Sequence, residues 1–177
     1  MKIGLMRHFK VLHSSKTFMN SAEFEEWIKH YDKADIKTAD IPESQVEWEI
    51  CYSSNLPRAV RTAEAVYKDN IIQREILREV PIAPVVSKSI VLPNKLWLTL
   101  GRLAYLFSHK SQPESIDETR ERAKRIISEI SSLGESNVLV VSHGFLMRFL
   151  QKELVKNGFK GEKFTRAENG QLYLFEN

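Results

Sequence analysis

Cysteine occurs once in the 177 residues, at Cys51, so no internal disulfide can form. A lone thiol is the usage expected of a chain that does not depend on an oxidising compartment. No apolar run reaches the roughly 18 residues that a bilayer crossing needs. The first residues pass straight into an apolar, β-rich run, without the layout of a signal peptide. Internal repeats and low-complexity tracts are absent. Neither sign of charge is in large excess: the net charge is +3 and the isoelectric point about 8.9. That mild basicity attracts small anions and does not by itself indicate nucleic acid. A soluble, cytoplasmic protein with no membrane or nucleic-acid partner is expected. No His-x-x-x-His pair occurs and no carboxylate set accompanies the histidines, so no metal or other cofactor is expected either. The 42% hydrophobic content is enough for a full core in one domain spanning 1–177.

Two apolar runs end in histidine. Lys2-Ile3-Gly4-Leu5-Met6 runs into Arg7-His8, and Val138-Leu139-Val140-Val141 runs into Ser142-His143-Gly144. Short aliphatic runs of this kind read as buried strands of a mostly parallel sheet. Ligands of such sheets collect beyond the carboxyl ends of the strands. A third run, Ile50 to Ser54, breaks into Asn55-Leu56-Pro57-Arg58, a helix start that puts Arg58 in the first turn. Backbone N–H groups at a helix start favour anions, and a guanidinium adds a planar fork for two phosphate oxygens. Two imidazoles and these arginines at one sheet edge make a cationic cup suited to a phosphoryl group.

The remaining chain supplies the layers. Phe24, Trp27, Ile28 and Tyr31 mark a helix over 21–31, and a third strand is expected near 71–77. Residues 9–20, 32–47 and 80–93 read as loops, the last from its prolines. Asn94 to Ser108 reads as a helix with a stripe of Leu96, Trp97, Leu100, Leu103, Ala104 and Phe107. It is either a cap over the site, at about 94–110, or an ordinary core helix. Ile116, Thr119, Ala123, Ile126, Ile127 and Ile130 mark the inner face of a helix over 115–133, closed by Gly134. A helix over 145–155 and a last edge strand at 171–175 follow. This order supports an α/β fold, a three-layer α/β/α sandwich.

The motifs Leu5-Met6-Arg7-His8, Ser54-Asn55-Leu56-Pro57-Arg58-Ala59-Val60-Arg61-Thr62-Ala63 and Val141-Ser142-His143-Gly144-Phe145-Leu146-Met147-Arg148 occur in that order. Together they resemble the histidine phosphatase superfamily, with its phosphoglycerate mutase-like fold. The resemblance implies a metal-independent phosphatase acting on a small phosphorylated substrate. His8 would be the nucleophile, and Arg7, Arg58 and a cationic His143 would hold the phosphoryl oxygens. A mid-chain carboxylate, Glu79 or the nearby Glu75, would protonate the leaving group. The chain departs from the pattern after His8, where Phe9-Lys10-Val11 replaces the usual Gly and frequent Glu-Thr, and at Arg61, often Gln. Phe9 is expected to narrow the pocket, Lys10 and Arg61 to bind a second anionic group at its rim, and Gly144 to line it.

Competing readings are a mutase that returns the phosphoryl group, a protein phosphohistidine phosphatase and a catalytically silent phosphate binder. A tyrosine-phosphatase loop is excluded. Six residues separate Cys51 from Arg58, they include Pro57 and no glycine, and Cys51 reads as a buried strand residue.

Overall fold

Ile3 to Met6 are buried without a break along β1 (Lys2–Arg7), and so is every residue of β6 (Val138–Ser142). Unbroken burial marks strands covered on both faces, as central parallel strands must be. The two strands pair in parallel with Arg7 opposite Ser142, so the chain leaves both at the same edge. β3 (Ile50–Ser54) runs parallel on the other side of β6, and β4 (Ile71–Arg74) runs parallel beside β3. Two antiparallel strands complete the sheet, β7 (Lys160–Gly161) and β8 (Leu172–Glu176), giving the order β4-β3-β6-β1-β8-β7. The computed structural model describes residues 1–14, 16–37, 44–86 and 90–177. Parts of the three expected loops, residues 15, 38–43 and 87–89, lie outside the described residues.

Helices cover both faces. Ile3, Leu5, Val138 and Val140 point to one side, against α4 (Ile116–Ser131) and α5 (Gly144–Lys156). Met6, Cys51, Leu139 and Val141 point to the other, against Ala59 and Ala63 of α2 (Pro57–Val66). The outcome is the α/β sandwich with a mostly parallel sheet expected from the strand-and-helix order. A smaller cluster stands apart. Phe24 of α1 (Ser21–Lys33) and Trp97 of α3 (Asn94–Leu106) meet Met19 there. A two-strand ladder of β2 (Phe18–Met19) with β5 (Leu92–Pro93) ties the two helices' entrances together. No described helix is long and apolar enough to cross a membrane.

Several details differ from expectation. The strand at 71–77 stops at Arg74 and becomes a 3-10 turn, Glu75–Leu77. The loops 9–20 and 80–93 each contain one strand of the small ladder. The final strand is not an edge, because the two residues of β7 pair outside it. The face of α3 is also rotated from the expected stripe. Trp97, Gly101, Ala104 and Tyr105 point inward, while Leu96, Leu103, Leu106 and Phe107 are exposed. Size explains the difference: a side chain at Gly101 would come within 3.3 Å of Ile82 Cβ, so close approach selects small residues that a hydrophobicity stripe passes over.

This orientation is testable by urea denaturation. Trp97→Ala should cost about 3–5 kcal/mol, as for a large buried side chain. Phe107→Ala, at an 81% exposed position, should stay within about 0.5 kcal/mol. The reverse order of losses would mean that α3 presents its other face to the core.

Candidate active site

The register of β1 with β6 sets the site. One residue past Arg7 is His8, one residue past Ser142 is His143, and the two rings lie 5.1 Å apart. His8 is almost fully buried, and its Nδ1 is 2.6 Å from the Phe9 carbonyl oxygen. A carbonyl can only accept, so Nδ1 carries the proton and Nε2 is left with its lone pair. Burial, and next the charge of Arg58, push the His8 pKa down to about 3. The ring is therefore neutral and its Nε2 basic at any ordinary pH.

Two guanidinium groups flank it. Arg58, 2% exposed, starts α2 and donates through Nη1 to Asp32 at 2.8 Å, with the Tyr31 ring 5.0 Å from its central carbon. Arg7 donates through Nη1 to the Ala167 carbonyl at 2.8 Å. Gly144 is where a side chain would strike Arg7, 3.0 Å from Nε. Its role is therefore to leave room for the guanidinium. His143 is fully buried and shares a hydrogen bond with Ser54 Oγ at 2.8 Å. Arg7 Nε, Arg58 Nε and His143 Nδ1 are buried without a hydrogen-bond partner among the described residues. Buried polar nitrogens are seldom left unpaired, and three around one imidazole describe a receptor for an oxyanion. The expected positive charge on His143 is not found: burial first, then Arg58, hold its pKa well below the usual histidine range. Buried beside Arg58 and Arg7, a further positive charge costs too much.

Glu79 reaches the start of α5. Its carboxylate accepts from the backbone N–H of Phe145 at 3.2 Å and of Leu146 at 3.1 Å. It lines the same cavity as Arg7, His8 and Arg58. Glu75 lines that cavity too, but it is largely exposed and paired with Arg78 at 2.8 Å. Four expected pocket residues do not line the cavity, Gly144 beneath Arg7 being one. Phe9 is buried in the core beneath α2, because its N–H is tied to Thr62 Oγ1 and its ring packs with Met6 and Ala59. Arg61 is exposed and held by Asp35 at 2.6 Å. Lys10 is exposed, and its carbonyl is taken by the Lys37 N–H. Neither Lys10 nor Arg61 lines the cavity.

Sequence reasoning missed the supports. Asp32 and Tyr31 hold Arg58, Ser54 holds His143, and Thr62, 53 residues from Phe9, pins the loop after His8. Asn169 donates to the His8 carbonyl at 2.8 Å from the other end of the chain. Asp32 and Tyr31 sat in a helix and in a polar loop with no motif to mark them. Ser54 and Thr62 had a signal, since both stand within the Arg58 motif. Among the described residues no group of three or more His, Cys, Asp or Glu side chains converges on a metal position.

A family model of the histidine phosphatase superfamily, branch 1, matches residues 39–176. The chain belongs to that superfamily. The match includes Arg58, Glu79 and His143, while Arg7 and His8 precede it. No curated protein matches the chain. Solved structures of this superfamily member's fold are distant in sequence. The alpha-ribazole phosphatase from Shigella flexneri is 16% identical, with a TM-score of 0.57, over 98% of this chain and 89% of that one. Phosphoserine phosphatase from Entamoeba histolytica, in complex with 3-phosphoglyceric acid, is 15% identical, with a TM-score of 0.57 and the same two coverages, 98% and 89%. Phosphoglycerate mutase from Bacillus anthracis is 19% identical, with a TM-score of 0.57, over 88% and 80%. At these identities the likeness is one of fold.

The neutral state of His8 in this histidine phosphatase has a measurable cost. Folded His8 takes up its proton near pH 3 and the unfolded chain near 6.5. Between those values the unfolded chain holds more protons, so stability falls as pH falls. From pH 6.5 to 4.5 this single group should remove about 2 kcal/mol. His8→Asn, with no titrating ring, should lose that much less over the same interval in denaturant titrations. Parallel curves for the two proteins would mean that His8 is protonated in the folded state.

Proposed function

We propose that this chain is a metal-independent phosphatase that hydrolyses phosphomonoesters through a phosphohistidine on His8. One observation carries the reading: the Nδ1–H of His8 is fixed on the Phe9 carbonyl, which leaves Nε2 free, and the neighbouring Arg7, Arg58 and His143 each hold an unpartnered nitrogen. Membership of the superfamily supports it. Nε2 attacks phosphorus in line with the ester bond. The Nε2–P bond forms, the P–O bond to the alcohol breaks, and Glu79 gives its proton to the departing alkoxide. Water then attacks the phosphohistidine and loses its proton to Glu79, and the P–N bond breaks to release phosphate and neutral His8. Splitting one displacement into two lowers each barrier.

Arg7, Arg58 and His143 meet the charge on the equatorial oxygens, the largest single contribution expected of such donors. An entering phosphoryl dianion offsets the repulsion from Arg58 that adds to burial in keeping His143 neutral. Substrate binding therefore favours proton uptake at His143. The carboxylate of Glu79 is set by the two N–H groups at the start of α5 and lines the same cavity as Arg7, His8 and Arg58.

His8→Ala should fold and lose at least about 10³-fold in activity, as expected when a covalent route is removed. A brief reaction with a reactive phosphate ester should leave acid-labile, base-stable phosphate on the wild type and none on the variant. Label on His8→Ala would overturn the assignment. Phosphate returned to a second alcohol rather than to water would indicate a mutase. Glu79→Gln should slow an alkyl phosphate about 10²–10⁴-fold, the usual range for a positioned acid. It should spare p-nitrophenyl phosphate, whose leaving group needs no proton. Equal losses on both esters would reduce Glu79 to a structural role.

A further inference from the structure

The cup occupies one end of a cavity of about 890 Å³. That is within the range of sites that enclose drug-sized ligands and far more than a phosphoryl group fills. What lines the remainder decides which alcohol can carry the phosphate.

One wall is a stack of rings. Trp97 lies on Phe24 at 5.4 Å and 17°, Phe24 on Trp27 at 6.0 Å and 9°, and Trp27 on Tyr31 at 5.4 Å and 27°. The inner end is fixed, since Trp97 and Phe24 are fully buried and the indole N–H of Trp97 donates to the Met19 carbonyl at 2.8 Å. The outer end, Tyr31, lies over Arg58. Trp27 and Tyr31 are half-buried and both line the cavity. Ile82 and Leu98, from the loop before α3 and from α3 itself, add apolar surface to it. A wall of locked rings costs little entropy when a flat group settles against it.

The charges outside the cup tell the same story by being used up. Four further arginines line the cavity, at 78, 102, 122 and 125. Arg78 is paired with Glu75 at 2.8 Å and donates to Asn55. Arg122 is gripped by Glu114 and donates to the carbonyls of Ile76 and Arg78. Arg125 lies 3.9 Å from Glu121. Arg102 donates to the Val80 carbonyl, lies 3.9 Å from Glu79 and covers the Phe145 ring. No lysine lines the cavity among the described residues. A second phosphate or carboxylate on the substrate would compete with the partners that these arginines already hold, the exposed Arg125 holding its own most weakly.

The geometry points to a phosphomonoester of an apolar alcohol that carries a flat ring, with the ring against Trp27 and Tyr31 and with no second anionic group. This rests on the phosphatase reading above and narrows it to a substrate class. Binding of two phosphonates, which cannot be hydrolysed, tests the two separately by calorimetry. Benzylphosphonate should bind at least about 10-fold more tightly than methylphosphonate, the gain expected from burying one ring. Trp27→Ala should bring that ratio close to one. Should Trp27→Ala fail to fold, Leu98→Ala on α3 should still lower the ratio several-fold. Equal affinities in the wild type, or tighter binding of 2-phosphonoacetate than of benzylphosphonate, would overturn the ring-bearing substrate while leaving the phosphate cup intact. Failure of both simple phosphonates to bind would overturn the cup and, with it, this inference.

Discussion

The parallel pairing of β1 with β6 is the constraint from which the rest of the site follows. Its register sets Arg7 against Ser142, so His8 and His143 leave the sheet side by side. A slip of one residue would turn every side chain of a strand to the opposite face. Here it would also separate the two imidazoles and carry Arg7 off Gly144. The register is held because Ile3 and Leu5 belong to one core and Met6 to the other, each filled by different helices. Hydrophobic burial on two faces thus fixes the spacing of polar groups at the strand ends.

Those polar groups oppose one another. Two guanidinium groups and two imidazoles in a buried cup cannot all be charged, and the imidazoles are the ones that yield. The arginines are kept by partial compensation: Asp32 and the Tyr31 face for Arg58, the Ala167 carbonyl for Arg7. Each arginine spends one nitrogen on the protein and leaves Nε without a partner among the described residues.

The sequence was most readable where chemistry and periodicity coincided. Arg7, His8, Arg58 and His143 each follow a strand or open a helix, and local pattern alone located those boundaries. Phe9 shows where this ended: adjacency to His8 suggested the pocket, but alternation along an extended chain sends neighbours to opposite sides. Lys10 and Arg61 were drawn outward for similar reasons, one to the surface and one to Asp35. The α3 stripe held at Trp97 and Ala104 and failed at Leu96, Leu103 and Phe107, because close packing brought Gly101 inward in place of a larger side chain. Asp32, Tyr31 and Asn169 left no local trace at all, since their meaning arises only when segments far apart in the chain are brought together.

The latch on the cup comes from residues 167–171. Arg7 is held by the carbonyl of Ala167, 160 positions away, its own carbonyl accepts from the Gly170 N–H, and its N–H reaches the Gln171 carbonyl. The strands that flank β1 are likewise β6 and β8, both near the end of the chain. During synthesis the first strand to emerge is thus among the last to find its neighbours. Until then its aliphatic face stays unpaired, a long-range closure of the kind that slows folding and invites aggregation. A ribosome-bound fragment lacking this segment would carry Arg7 and His8 without the groups that fix them.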